Sequence, residues 1–376
     1  MRIHSVICYS EIRIPRSEFE MRRIDRFLYR KEKTLGERIL LFPLYLFSLP
    51  YGWAVRTRSL SYSLKLLKTK TLPCPVISVG NITVGGTGKT PLVMAIAEGL
   101  MNRGISTAIL SRGYGGTGTS EPVVSDGRRL FLSPQESGDE PFLMARVCKG
   151  VPVLVGKDRF KNGRIALRQF GIKALLLDDG YQHLPLRRDL DILLIDATVG
   201  FGDQNLLPRG ILREPLSHLR RAHLFLLTKV TDPERCQPLE KKIQEIHPRA
   251  PVFHSRYQPT KLVNPIGEEE ELDSLKGKRI VALSGIANPD YFSSLLRERG
   301  AEIVSEAIFP DHHSYGSKDL SFVREKSKGA DWIVTTEKDM LKLRQLGIDH
   351  LPIRALRIEM KIWEEEAFFK RIVTLF

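Results

Sequence analysis

Short apolar runs at 76–79, 107–110, 153–155, 174–177, 192–195 and 224–227 punctuate the chain. Each lacks the polar alternation of a half-exposed strand and ends in polar residues, the pattern of a strand covered on both faces. Helical spacing separates several of them, as at 92–100. That alternation predicts an α/β fold on a parallel sheet, with functional groups at the strand carboxyl ends. A second series at 280–283, 303–305 and 332–335 follows a break near 246–259, where His247-Pro248-Arg249-Ala250-Pro251 interrupts the pattern. Two α/β/α domains are therefore expected, at 71–250 and, smaller, at 251–376.

A different pattern precedes them. Residues 39–55 form the most apolar stretch, flanked by Arg38 and Arg56. As a helix it would measure about 26 Å, the lower limit for a bilayer crossing, and Pro43 and Pro50 make a spanning helix poor. Upstream, Ile24, Phe27, Leu28, Leu35, Ile39 and Phe42 recur at helical spacing, with Arg22, Arg26, Arg30 and Lys33 on other faces. This is the pattern of a helix lying in a lipid interface. An amphipathic helix packed on its own domain is the alternative.

Charge sharpens this reading. The 376 residues carry 58 Lys+Arg against 44 Asp+Glu, a formal +14. Residues 21–70 hold twelve of the basic residues and three acidic ones, so nine of the fourteen excess charges are local. We read 21–70 as a basic, amphipathic and apolar membrane-associating segment drawn to an anionic membrane surface. No nucleic-acid-binding module accompanies the charge, so no nucleic-acid partner is expected, and no obligate protein partner is evident. Residues 1–20 balance three Arg with three Glu, unlike the basic stretch after them; they read as an extension, with Met21 as an alternative start. The absence of any run of 18 apolar residues excludes a multi-span transporter. Cys8, Cys74, Cys148 and Cys236 form no C-x-x-C pair, which fits a reducing compartment without a zinc site.

The strand at 76–79 leads into Gly80-Asn81-Ile82-Thr83-Val84-Gly85-Gly86-Thr87-Gly88-Lys89-Thr90-Pro91 and then a helical pattern. Strand, glycine-rich loop, Lys-Thr and helix form a phosphate-binding loop, which makes the first domain a P-loop NTPase type and residues 83–91 the nucleotide site. Glycines let backbone N–H groups surround phosphate oxygens, Lys89 reaches the β/γ-phosphates of ATP, and the Thr90 hydroxyl ligates Mg²⁺. One departure is Thr83 in place of the usual leading glycine. The strand at 174–177 delivers Asp178 and Asp179, one a Mg²⁺ candidate and the other a turn cap. Gly113-Tyr114-Gly115-Gly116-Thr117-Gly118 matches a dinucleotide fingerprint but opens no helix, and Asn81-Ile82-Thr83 is a glycosylation match inside the phosphate loop; neither is adopted.

Further strings converge with these: Ser111-Arg112-Gly113-Tyr114, Gly138-Asp139-Glu140-Pro141, Asp178-Asp179-Gly180-Tyr181-Gln182-His183, Leu207-Pro208-Arg209-Gly210, Leu212-Arg213-Glu214-Pro215, Ser284-Gly285-Ile286-Ala287-Asn288-Pro289, Phe309-Pro310-Asp311-His312-His313-Ser314-Tyr315 and Thr335-Thr336-Glu337-Lys338-Asp339. In this order the chain resembles the tetraacyldisaccharide 4′-kinase family of the lipid A pathway over about residues 35–345. The resemblance implies ATP-dependent, Mg²⁺-assisted phosphorylation of the 4′-hydroxyl of an acylated glucosamine disaccharide phosphate lipid. It also implies a monotopic or peripheral enzyme at the cytoplasmic face of the bacterial inner membrane, the second domain closing over the nucleotide. It makes Asp139 the catalytic base, paired with a histidine that is His312 or His313, His312 being favoured. Glu214 is expected near the metal with Thr90, Asp178 and Asp179, while Arg112, Gln182, His183 and Arg213 would meet substrate. Lys338 and Asp339 would touch nucleotide.

Two rivals stand beside this. A membrane-associated P-loop switch ATPase or GTPase would share the loop, although Thr228-Lys229-Val230-Thr231-Asp232 places its Asp one residue late for a guanine-reading string. A non-catalytic membrane adaptor would leave Lys89, Thr90 and the paired Asp unused.

Overall fold

The computed structural model describes residues 33–117, 121–348 and 350–376. The extension at 1–20, the possible start at Met21, Cys8 and the upstream half of the amphipathic pattern, Arg22 to Arg30, lie outside the described residues.

Two helices come first, α1 (Leu35–Leu40) and α2 (Phe42–Ser63). Thr34 and Glu37 close α1 with a reciprocal capping box, and the expected apolar stretch divides at Leu41. Pro43 lies in the first turn of α2, where its missing N–H has no partner to lose; Pro50 lies inside the helix. Only Ser48 and Gly52 of α2 are buried, and Gly52 lets the helix lie against Leu206. Among the described residues no helix is long and apolar enough to cross a membrane.

A chain of alternating elements follows: β1 (Val76–Gly80), α3 (Lys89–Met101), β2 (Thr107–Ser111), β3 (Val123–Ser125), α4 (Pro134–Ser137), α5 (Asp139–Val147), β4 (Val153–Val155), α6 (Arg159–Phe170), β5 (Ala174–Asp178), β6 (Leu190–Asp196) and β7 (Leu224–Thr228). The remainder holds α7 (Gln237–Ile246), β8 (Val252–Val263), β9 (Glu269–Glu270), β10 (Arg279–Ser284), α8 (Pro289–Glu298), β11 (Glu302–Ile308), α9 (Ser317–Lys326), β12 (Trp332–Thr336), α10 (Glu337–Leu343), β13 (Ile353–Ile362) and α11 (Glu365–Val373).

The strands form one large, mostly parallel sheet in the order β11-β10-β12-β13-β8-β7-β6-β1-β5-β2-β4-β3, with β9 beside β8. The apolar runs need no alternation because both faces are covered: Leu176 enters one core, while Leu175 and Leu177 enter the opposite one. Strand β1 lies between β5 and β6, where the chain's path across the sheet reverses, so its carboxyl end opens a crevice suited to a ligand.

One element was not expected. Strand β8 runs through the proline-rich break near 246–259. Its first residues pair parallel with β7 and the rest pair antiparallel with β13, so a single strand serves both parts of the sheet. Pro259 is accommodated where the β8–β13 register shifts. The chain end then crosses back: Phe368, Phe369 and Ile372 of α11 join the core around Leu92 and Ile96 of α3. Because Phe368 is fully buried there, Phe368→Ala should destabilise the fold by about 3–5 kcal/mol in denaturant unfolding. A loss under about 1 kcal/mol, the scale of a surface change, would mean that α11 is not part of this core.

Candidate active site

The phosphate loop is shaped by its neighbours. Thr83 forms a bridge with Leu212, and the Val84 N–H donates to the Ile211 carbonyl at 2.9 Å. Residue 83 is thus extended and paired, not turning, which is why it need not be glycine. Gly88, which caps α3 at φ 91°, must be: a side chain there would strike the Tyr257 hydroxyl. Lys89 opens α3, its ammonium 3.5 Å from Asn81 Oδ1 and 3.6 Å from Asp179 Oδ1.

The carboxylate pair at the end of β5 divides into two environments. Asp178 is buried; Ser111 donates to its Oδ2 at 3.0 Å, and its Oδ1 has no partner. Burial, then the charges of Glu140 and Asp179, push its carboxyl up to about 7. Asp179 sits at φ 48°, beside Lys89 and 3.2 Å from Arg213. Burial opposes its ionisation, but Lys89 and Arg213 outweigh this and hold it below the usual carboxylate range. The buried Arg159 donates to the Asp178 carbonyl at 2.8 Å. An orphaned carboxylate oxygen in a buried position calls for a cation, and the helix-terminal Thr90 hydroxyl is the accompanying ligand type. The residues present therefore fit Mg²⁺.

Helix α5 begins at Asp139 itself, with Gly138 in the capping position. Asp139 is thereby released from capping and faces the other part of the molecule. Lys342 on α10 approaches its Oδ2 to 2.8 Å and His312 Nδ1 to 3.9 Å, the latter an electrostatic contact and not a hydrogen bond. Burial would raise the Asp139 carboxyl; His312 and Lys342 overcome this and lower it. His312 has a left-handed backbone (φ 63°) and its Nε2 lies 3.3 Å from Lys338 Nζ. Lys338 lies 3.6 Å from Glu140, whose charge reaches Asp178. His313 is turned elsewhere, stacked on Phe309 with its Nε2 3.1 Å from Asp319.

The other expected residues scatter in role. Arg213 pairs with Asp179 and so stands beside the nucleotide site. Gln182 donates its amide to the Asn81 carbonyl at 2.8 Å, bracing the phosphate loop. His183 is driven down to about 4 by burial and then by Arg159, Arg188 and Arg58, so its imidazole is neutral at pH 7. Arg112 is exposed at the end of β2. Glu214 departs from expectation: its buried carboxylate is occupied by His218 at 2.8 Å and by Arg221. Among the described residues no three acidic, histidine or cysteine side chains form a metal cage, so Glu214 is not grouped with Asp178 and Asp179. Asp339 is also enclosed, accepting from the Gly285 N–H, Thr336 and Tyr315.

Sequence reasoning missed Lys342 and Arg159. The signal for Lys342 was present: it follows Lys338 by four residues on a helix and so shares its face. Arg159 gave none, since its role depends on burial.

Residues 40–376 match the sequence model of the tetraacyldisaccharide-1-P 4′-kinase family. The chain is 44% identical over 313 residues to a tetraacyldisaccharide 4′-kinase of Geobacter sulfurreducens, covering 83% of this chain and 86% of that one. It is 42% identical over 337 residues to that of Syntrophus aciditrophicus, covering 86% and 90%. The crystal structure of LpxK from Aquifex aeolicus in complex with ATP aligns at TM-score 0.72 and 35% identity, over 90% of this chain and 99% of that one.

The raised Asp178 carboxyl has a signed consequence. Between about pH 4, where an unfolded Asp ionises, and about 7, the folded protein holds a proton that the unfolded chain has lost. Stability conferred by the neutral form is thus lost as pH rises through this window. Asp178→Asn should therefore raise the melting temperature of the nucleotide- and metal-free protein at pH 8 by about 2 °C or more, with the gain shrinking through the window and vanishing near pH 4, below it. An equal effect at both pH values would contradict the assignment.

Proposed function

The chain belongs to the tetraacyldisaccharide-1-P 4′-kinase family, and on that premise we propose how its residues carry the reaction. It is an ATP-dependent kinase that phosphorylates the 4′-hydroxyl of tetraacyldisaccharide 1-phosphate in lipid A biosynthesis. This sets aside the switch and adaptor alternatives.

In our reading, residues 83–91 cradle the ATP phosphates through backbone N–H groups, and Lys89 neutralises charge on the transferred group. Thr90 and the open oxygen of Asp178 would hold Mg²⁺, which when bound neutralises charge on the phosphate oxygens. Asp179, kept ionised, holds Lys89 and Arg213 in place. Asp139 accepts the proton of the attacking 4′-hydroxyl, and His312 orients it. His312 is preferred to His313 because His313 is committed to Phe309 and Asp319. Arg112 and Arg213 suit the anionic head group, and neutral His183 suits a sugar hydroxyl. Gln182, with its amide engaged, has only its carbonyl to offer.

The observation that carries this reading is the approach of Asp139 to His312 and Lys342. They come from either side of β8, which supports treating 71–250 as the catalytic domain and 251–376 as a smaller closing one. Closure would then restrict ATP hydrolysis without lipid.

We further propose that the segment 21–70 seats the enzyme on the anionic, cytoplasmic face of the bacterial inner membrane, as a peripheral or monotopic protein. Phe47 is 66% exposed and Trp53 71%, a face unsuited to water alone. The same helix is tied to the site loops: the Tyr51 hydroxyl donates to the Arg213 carbonyl at 2.8 Å and Arg58 donates to that of Gln182 at 3.2 Å.

With γ-labelled ATP and the lipid disaccharide, Asp139→Asn should lower label transfer by about 10²–10⁴-fold. A rate within about threefold of wild type would remove it as the base. Phe47→Ser/Trp53→Ser should sediment poorly with anionic vesicles yet keep its activity on detergent-dispersed substrate. Unchanged sedimentation would contradict membrane seating.

A further inference from the structure

The string Thr228-Lys229-Val230-Thr231-Asp232, a near match to a guanine reader, has no part in the phosphoryl transfer proposed for this site. Its first two residues are nevertheless among the most enclosed polar groups of the molecule, with Thr228 fully buried and Lys229 nearly so. Their partners are consecutive carbonyls of the phosphate loop. The Thr228 hydroxyl donates to the Thr87 carbonyl at 2.9 Å, and the Lys229 ammonium donates to the Gly86 carbonyl at 2.8 Å.

We propose that Thr228 and Lys229 are positioning residues that fix the peptide planes of the phosphate loop, so that this string is a loop brace and not a base reader. In a trans peptide the carbonyl and the following N–H point in opposite directions. Holding the Thr87 carbonyl against Thr228 turns the Gly88 N–H to the far side of the loop, where a phosphate oxygen is received. Holding the Gly86 carbonyl likewise fixes the plane that carries the Thr87 N–H, which donates to the Gly85 carbonyl at 3.1 Å and closes the turn. Glycines allow such planes to flip, so a loop rich in them needs external donors to keep one orientation.

The brace is itself anchored. The Lys229 ammonium is paired with Asp196 Oδ2, and the other Asp196 oxygen accepts from the Thr198 N–H at 2.9 Å and hydroxyl at 2.6 Å. Lys229 adopts φ 57° in doing so, a conformation a long side chain rarely takes without surrounding constraint. From the opposite side Ala287 closes on Gly86, and the Tyr291 ring lies 5.8 Å from the ammonium. Asp232, which would have to read a base, instead accepts from the Glu234 N–H at 3.0 Å and pairs with Arg235 in an exposed turn.

The inference rests on 83–91 being the phosphate loop, and the test separates the two. Steady-state lipid phosphorylation is measured for Thr228→Val, Thr228→Ser, Lys229→Met and Lys89→Met, with ATP and with GTP. Thr228→Val and Lys229→Met should raise KM for ATP and lower kcat, together reducing kcat/KM by about ten- to a hundredfold. KM for the lipid and the ATP-to-GTP ratio of kcat/KM should stay fixed, and Thr228→Ser should restore wild-type values. If Lys229→Met does not fold because Asp196 is left uncompensated, Asp196→Asn/Lys229→Met replaces it with the same expectation. Wild-type ATP kinetics in Thr228→Val would overturn the brace, as would a changed ATP-to-GTP ratio. Loss of activity in Lys89→Met alone would leave the phosphate loop intact as a reading while the brace fails; full activity in Lys89→Met would overturn both.

Discussion

The site depends on charge confined in a buried space. Strands β1 and β5 lie side by side, so the phosphate loop and Asp178-Asp179 emerge together. Two adjacent carboxylates in such a place cannot be equally ionised without cations. Asp179 is given Lys89 and Arg213 and stays charged; Asp178 is left with one hydroxyl and an open oxygen. Lacking a full set of partners, Asp178 tolerates a divalent ion better than its absence. The same confinement makes Lys89 a strong electrostatic partner for phosphate, because its field is not diluted by solvent.

The rest of the architecture is set by the groups that must reach this space. The phosphate-loop side is built on a sheet whose strands are buried on both faces. The acceptor side is shared: Asp139 comes from α5, while His312, Lys338 and Lys342 come from beyond β8. Because β8 hydrogen-bonds to β7 and to β13, the two sides are joined by a strand and not by a slack linker. The helix at 42–63 adds a third constraint, since Tyr51 and Arg58 tie its inward face to Arg213 and Gln182 while its large apolar residues remain outside.

Much of this was legible in the sequence where one local rule sufficed. Continuous apolar runs located β1, β2 and β4 to β7 because double-sided burial removes the need for polar positions. The Gly-Lys-Thr string gave the phosphate loop because its chemistry is local. The features that stayed hidden depended on distant partners. Strand β8 was obscured because its prolines suggest a break, and Pro259 is tolerated only through a register shift supplied by β13. The surroundings of Asp139 were not legible locally, since Lys342 and His312 reach it from beyond β8. Glu214 sits in one of the strings that carry the family resemblance, yet Arg221 and His218 occupy it. The left-handed backbones at Asp179, Lys229 and His312 leave no trace in composition, since none is glycine.

The central claim is that Asp139 and His312 act as one catalytic unit assembled from both parts of the sheet. A double-mutant cycle on kcat for lipid phosphorylation, using Asp139→Asn, His312→Gln and the double variant, tests it most directly. If the two act as a unit, the double variant is no slower than the worse single variant by more than about threefold, because removing one partner already forfeits the other's contribution. Losses that multiply, with the double variant slowed by the product of the two single effects, would contradict the account.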